Sequence, residues 1–330
     1  MQTAKAIAAA LLIVLCINGT TAVPRAQEAP DTPDLAELWR VGCLWQVGDN
    51  VQKVADARQA LIEAGKPGLD YAISRLSAGA TLEIRCLTAV IVGFGEDAIE
   101  PLSDNIDHES PAARRNAADL LLRVNGRSGA EALLAQAQVE ENSRARLSQL
   151  TALARWEVAE SLTPLLELSS DDNHRVRMEC CPLLNLLGSV EAGERLLEML
   201  HDRAFFVRNS ARRALVTARL PVRLLCLREC RTALEGGDAT RARRLLPVVA
   251  TLAVDDNPAL LLRALNDPES VLRANAAEAL VTWKTGAGLL DETTDVKAEL
   301  AAAARQETDP FTRGVLDEAI ENLERKLNER

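Results

Sequence analysis

Asp171 to Gly188 reads DDNHRVRMECCPLLNLLG: an acidic turn, a Val-Arg pair, then one helix's worth of apolar residues closed by Gly. The same grammar returns as HDRAFFVRNSARRAL from His201 and as NDPESVLRANAAEALVTW from Asn266. Self-similarity at a period of a few tens of residues marks a repeat architecture. Anchoring on the Arg gives a ladder of Arg58, Arg85, Arg114, Arg146, Arg177, Arg208, Arg243, Arg273 and Arg313, spaced by 27, 29, 32, 31, 31, 35, 30 and 40 residues. Nine such units predict an all-α fold, an α-solenoid of about nine helix pairs in which each unit touches only its neighbours.

In the clearest units an acid stands six residues before the Arg (Asp171, Asp202, Asp267) and an apolar residue just before it (Val176, Val207, Leu272). Small or branched apolar residues follow at three and seven: Cys180 and Leu184, Ala211 and Leu215, Ala276 and Leu280. Offsets of minus one, three and seven share one face of a 3.6-residue helix, so these positions form the seam. The acid is expected at the N-cap, where its charge suits the helix dipole. Composition agrees: 48% of the 330 residues are apolar but only 3% aromatic, which suits a thin seam of Leu, Ala and Val better than a thick globular core.

The acidic turn, Val-Arg pair and spaced Ala and Leu resemble HEAT repeats, in particular the short units of the phycobilisome lyase family. The resemblance covers roughly residues 50 to 325, strongest at Asp171, Asp202 and Asp267 and weakest at Arg58, Arg243 and Arg313. It implies that the Val-Arg helix is the second of each pair and faces a concave side. It also implies a Pro in the first helix, where Pro101 and Pro164 both stand 13 residues before their ladder Arg.

Residues 1–22 carry one cation, Lys5, an apolar run from Ala6 to Ile17 and the small-residue ending Thr20-Thr21-Ala22, the pattern of a signal peptide too short in its apolar part to span a bilayer. The expectation is an exported protein, periplasmic or secreted, with no membrane span in its mature form. Residues 23–34, VPRAQEAPDTPD, read as a flexible linker. Residues 35–330 are then the solenoid. Leu35, Leu38, Trp39 and Trp45 form the apolar stripe of an N-terminal capping helix, and the charged segment after Arg313 forms a C-terminal one. Thr285 to Asp295 is an inserted loop. Trp156 and Trp283, each ten residues past a ladder Arg, are expected in the core.

Little in the chain suggests catalysis. The three histidines, His108, His174 and His201, all fall in or beside turns that precede Val-Arg helices. The six cysteines after residue 22 include no CxxC pair. Cys226 and Cys230, at i and i+4, supply at most half a metal site and read instead as seam residues. No metal or cofactor is expected. In an oxidising compartment a disulfide among Cys43, Cys86, Cys180, Cys181, Cys226 and Cys230 stays open, with its connectivity undetermined. One His-Glu dipeptide, His108-Glu109, does not match the several that hold iron in HEAT-like hydroxylases. The expected export argues against the cytoplasmic bilin lyases and against nucleic acid as a partner.

Charge is the remaining clue. Residues 203–244 hold eleven Arg against Glu229, Glu235 and Asp238, a net of plus eight, while the rest of the chain from Val23 sums to minus nineteen. Arg outnumbers Lys 32 to 6 throughout, so part of this richness is compositional. Positions one, two and five past a ladder Arg point away from the seam. On that count Arg213, at five, and Arg244, at one, are candidate binding residues; Arg241, two before its ladder Arg, leans the same way, and Arg212 beside Arg213 is the fourth candidate, whereas Asp119, Glu179 and Glu278 make the same surface acidic elsewhere. Arg85, Arg114, Arg146, Arg177, Arg208 and Arg273 form the structural ladder with Asp171, Asp202 and Asp267. The functional reading is a non-catalytic scaffold that holds a protein partner on its concave face. The alternatives are a module for an acidic protein segment or anionic glycan through residues 203–244, and a lyase-like accessory enzyme.

Overall fold

Wherever the Val-Arg grammar recurs, the chain is helical. The computed structural model describes residues 34–252, 257–288 and 294–329. The expected signal peptide (1–22), all but Asp34 of the linker and the middle of the inserted loop lie outside them. Helices alternate in pairs: α1 (Leu35–Gly42) with α2 (Asn50–Glu63), α3 (Lys66–Ile73) with α4 (Thr81–Phe94), α5 (Ile99–Ser103) with α6 (Pro111–Arg123), α7 (Ala130–Val139) with α8 (Ser143–Arg155), α9 (Leu162–Leu168) with α10 (His174–Leu187), α11 (Val190–Met199) with α12 (Phe205–Val216), α13 (Leu220–Glu235) with α14 (Ala239–Val249), α15 (Asn257–Leu265) with α16 (Ser270–Thr285), and α17 (Val296–Gln306) with α18 (Pro310–Asn328). Among the described residues there is no strand.

All nine ladder arginines fall on the even-numbered helices, and these stack on one another without a break from α2 to α18. The architecture is the expected α-solenoid. Six of the nine occupy the fourth residue of their helix, whereas Arg85 and Arg243 stand one residue later and Arg58 five later. The slippage at Arg58 and Arg243 falls on units whose pattern is weak in the sequence, whereas Arg313, also weakly marked, keeps the fourth position. Pro101 and Pro164 lie in α5 and α9, on the first helix of their pairs.

The seam is built from the positions that periodicity selects. Val176, Cys180 and Leu184, Val207, Ala211 and Leu215, and Leu272, Ala276 and Leu280 are all buried. Fully burying one Leu or Val contributes about 1.5–3 kcal/mol, and small residues let neighbouring helices approach. The approach is close at Gly193 in α11, where an added Cβ would stand 2.7 Å from Cγ1 of Val222 in α13, and at Gly93 in α4, where it would stand 2.3 Å from Cδ1 of Ile62 in α2.

The even helices α6, α8 and α10 end alike. Eleven residues past the ladder Arg the chain turns left-handed, at Asn125, Glu157 and Gly188 (φ 57°, 56° and 63°). Trp156, one residue before that turn in its unit, is buried, as is Trp283.

Two expectations need correction. The acid at minus six is not the N-cap. The cap is the residue at minus four: Asn142, Asn173 and Asp309 accept helix N–H bonds from Arg144 and Ala145, from Arg175, and from Thr312. The acid sits one turn earlier and accepts the N–H of the cap residue itself, as Asp171 does from Asn173 at 2.7 Å and Asp202 from Ala204 at 2.7 Å. Trp45 also leaves the apolar stripe. Helix α1 stops at Gly42, so Trp39 packs edge-on against Tyr71 while Trp45 stays 59% exposed.

Candidate functional site

The ladder is a set of clasps, and its geometry defines the site. Four arginines at the fourth helical position are anchored identically. One terminal nitrogen, Nη1, donates to the carbonyls five and six residues back: Glu109 and His108 for Arg114, Asp172 and Asp171 for Arg177, Arg203 and Asp202 for Arg208, Pro268 and Asp267 for Arg273. Three of the four then present Nε and Nη2 to a carboxylate in the next unit's turn. Arg114 meets Glu140 at 2.6 and 2.7 Å, Arg177 meets Asp202 at 2.7 and 2.9 Å, and Arg273 meets Glu307 at 2.6 and 2.6 Å.

Each acceptor stands six residues before the ladder Arg of its own unit. The minus-six acid therefore stiffens its own turn and receives the preceding unit's Arg. The Arg177 fork holds the Asp202 carboxyl below the usual carboxylate range, and the Arg273 fork brings Glu307 to about 2. For Glu140 burial opposes ionisation, but Arg114, the Asn142 N–H and Gln149 outweigh it and the net displacement is downward.

The other ladder positions depart from this scheme for local reasons. Arg146 bonds to the Ala137 carbonyl and to the exposed Glu167, while Asp171, its expected acceptor, takes the Ser143 hydroxyl. Asp267 accepts the Glu269 N–H and no arginine. Arg85 is exposed, and the residue that should face it is His108, whose Nδ1 accepts from the Ser110 N–H in the acid's place.

Arg208 is the fourth anchored arginine, and among the described residues no carboxylate meets it. Six residues before Arg243 stands Gly237, which has no side chain to offer. Arg208 instead lines a groove of about 380 Å³ with Asn209 and Arg212 of α12, Arg243, Arg244 and Pro247 of α14, and Leu200, Phe205 and Asn275. Arg212 bonds only to Asn209, at 3.0 Å, and Arg244 reaches Nδ1 of His201 at 2.5 Å. Among the described residues none of these four guanidinium groups is paired with a carboxylate. Burial, then the charges of Arg208 and Arg243, push the Arg244 pKa down against a smaller pull from Asp238. Burial, then Arg244 and Arg241, do the same to His201, so it accepts from Arg244 as a neutral ring.

Of the four candidate residues, then, the structure brings Arg212 and Arg244 together and separates the other two. Arg241 lies in a different hollow with Glu194, Glu198, Glu229 and Asp238, and its fork is taken by Glu229 at 2.6 Å. Arg213 lies on α12 outside both hollows, exposed. On α12 and α14 the groove is lined at offsets of zero, one and four from the ladder Arg, with Asn275 at two on α16, and offset five lies about a quarter-turn from the centre of the α12 stripe at 100° per residue. Arg208 and Arg243 belong to the groove although their ladder position marks them as structural. The signal that finds them is Gly237, where the repeat calls for an acid. Further along the even row Glu278 and Glu318 face Lys326 between α16 and α18, so the surface turns from basic to acidic there. Asp119, at the equivalent position in α6, is half-buried, and burial raises its pKa.

No group of His, Cys, Asp and Glu among the described residues is arranged to hold a metal ion, and Cys226 and Cys230 are fully buried. No helix of the described residues is long and apolar enough to cross a membrane. The repeated clasp, with its forward-reaching Arg and its acid in the next turn, is densest in the middle of the chain, and there the sequence can be matched to a family. Residues 130–216 match the HEAT repeats. The HEAT-matching stretch runs from α7 to the end of α12, so Arg177, Asp202 and the α12 wall of the groove lie within it. No curated protein is similar enough in sequence to match. Similar solved structures include an engineered protein, 15% identical, covering 88% of this chain and 99% of its own with a TM-score of 0.38. Another is the Escherichia coli protein YibA, also 15% identical, covering 88% of this chain and 92% of its own with a TM-score of 0.42.

Proposed function

We propose that the protein is a non-catalytic scaffold that holds a protein partner on the face formed by its even-numbered helices, centred on the groove between α12 and α14. HEAT repeats generally serve protein interaction, and the lining of this groove offers guanidinium and amide groups rather than a nucleophile beside a base. The observation that carries the reading is the convergence of Arg208, Arg212, Arg243 and Arg244 on one groove with no carboxylate partner among the described residues. An anionic polymer draws on the same charge but needs a longer basic track. Here Glu229 neutralises Arg241, and the face is acidic again at Glu278. The proposed setting is the periplasm or the exterior, supported by the tripartite pattern of residues 1–22.

Site-specific photo-cross-linking tests the reading. A photoreactive side chain at Asn209, on the even row, should yield a discrete adduct in the host's envelope fraction, while one at Glu131 on α7 should yield none. Equal adducts from both positions would overturn it. Export is checked by intact mass of the native protein, which should begin near Val23.

A further inference from the structure

The chain itself shows what an anchored ladder arginine binds. In three units, with Arg114, Arg177 and Arg273, the Nη1 edge is fixed by two turn carbonyls and the Nε/Nη2 edge closes on a carboxylate in bidentate fashion. Arg208 has the same anchor, at 2.9 and 3.1 Å to the Asp202 and Arg203 carbonyls, and among the described residues nothing occupies its other edge. The fork is already oriented, so a carboxylate that meets it does not have to immobilise a flexible side chain.

We propose that Arg208 takes in trans the carboxylate that its counterparts take in cis: the groove receives an Asp or Glu side chain from an acidic, apolar-flanked segment of the partner protein. The proposal rests on the scaffold reading and deepens it by naming what the groove recognises. Gly237 stands six residues before Arg243 and Gly236 two residues before the Asp238 N-cap, so neither register supplies an acid here. Arg212, Arg243 and Arg244 surround the position with further positive charge, and the mutual repulsion of Arg208, Arg243 and Arg244 is relieved by an anion. The rim is apolar. Phe205 and Phe206 stand edge to face, 63% and 61% exposed, and Phe205 lies under the Arg208 guanidinium. Phe205, with Leu200 and Pro247, forms a seat for aliphatic or aromatic residues beside the acid. Exposed aromatic groups next to an unpaired Arg are the composition of an interaction hot spot.

The probe is a fluorescein-labelled twelve-residue peptide alternating Glu with Leu, read by anisotropy on the full chain, with the Gln-for-Glu peptide and heparin as comparison ligands. The Glu peptide should bind and the Gln peptide should not. Arg208→Lys keeps the charge and removes the fork, and it should weaken binding about tenfold or more, as expected for a bidentate charge-assisted contact. Arg212→Gln, whose side chain makes a single bond at the rim, should weaken it about threefold with the thermal melt unchanged, which keeps the test valid should Arg208→Lys loosen the 202–203 turn. Equal binding by the wild type and Arg208→Lys would overturn the proposal. So would heparin binding that is tighter than that of the Glu peptide and equally sensitive to Arg208→Lys. Absence of peptide binding while the Asn209 cross-link persists would remove the carboxylate and keep the scaffold, whereas loss of both would remove both.

Discussion

Arg177→Ala should be the most damaging substitution of a charged residue on the ladder. The Arg177 and Asp202 side chains are only 7% and 12% exposed, and Arg177 makes four bonds: two to the Asp171 and Asp172 carbonyls and two to the carboxylate. Truncation strands Asp202 in the turn with the Ala204 N–H as its remaining partner and also frees two part-buried carbonyls. Breaking a buried pair from one side costs about 3 kcal/mol or more. Arg208→Ala removes the same two-carbonyl anchor from the same helical position but strands no carboxylate, so its cost should be about 1–2 kcal/mol. The difference between the two isolates the clasp from the anchor. Arg212→Ala, on an exposed side chain, is the surface reference and should change stability by less than about 0.5 kcal/mol. Arg195 is unsuitable as that reference, because it ties α11 to Ser169 and Ser170 of the preceding unit. Urea melts followed by circular dichroism give the three values, and a double-mutant cycle with Asp202→Ala should return a coupling of about 2 kcal/mol. Equal losses for Arg177→Ala and Arg208→Ala, or a coupling near zero, would refute the view that the inter-unit clasp stabilises the stack.

Three further outcomes follow from the geometry. Glu307 has a folded pKa of about 2 against an ordinary 4.5, so its contribution is complete above about pH 4.5 and is lost as pH falls toward 2; Glu307→Gln should flatten stability against pH in that window, and an unchanged acid slope would refute the assignment. Burial raises Cys181 to about 11 and both Cys226 and Cys230 to about 12, so iodoacetamide at pH 8 should leave these three unmodified in the native protein and alkylate them in urea; fast native labelling at Cys226 or Cys230 would contradict their place in the seam. Glu157 adopts a left-handed conformation that Gly188 fills in the next unit, and its ion pair with Arg219 is long and exposed, so Glu157→Gly should raise the melting point, with a gain of up to about 1 kcal/mol, while Gly188→Ala should lower it.

The fold was legible because the seam repeats at offsets that only a helix satisfies, and Val176, Cys180 and Leu184 are buried as that pattern requires. The units around Arg58, Arg85 and Arg243 were counted correctly but registered poorly. A one-residue shift of an Arg within its helix leaves the apolar pattern almost intact and moves the guanidinium by about 100°. The acid's true place was hidden because minus six and minus four both lie in the turn, and both accept backbone N–H groups. Only the backbone path shows which of them begins the helix. The groove was legible in composition but not in membership. Arg241 and Arg213 carry the same charge as Arg212 and Arg244, and their exclusion depends on Glu229 and on a quarter-turn of α12. Gly237, which stands where the repeat calls for an acid, attracts no attention until Glu140, Asp202 and Glu307 are known to be acceptors.

The clasps also set how force travels along the stack. A joint closed by a bidentate pair resists both shear and opening, since the guanidinium and carboxylate planes tolerate little rotation. Such joints lie between α6 and α8, α10 and α12, and α16 and α18. The joint between α12 and α14 has no such pair among the described residues, only apolar packing and the contact of Arg244 with His201, and it is bordered on its α10 side by a stiff link. Bending at this joint opens or closes the mouth of the groove. A side chain that filled the empty half of the Arg208 fork would act as a splint, so occupancy would be felt as a change in the springiness of the whole stack rather than as a local displacement.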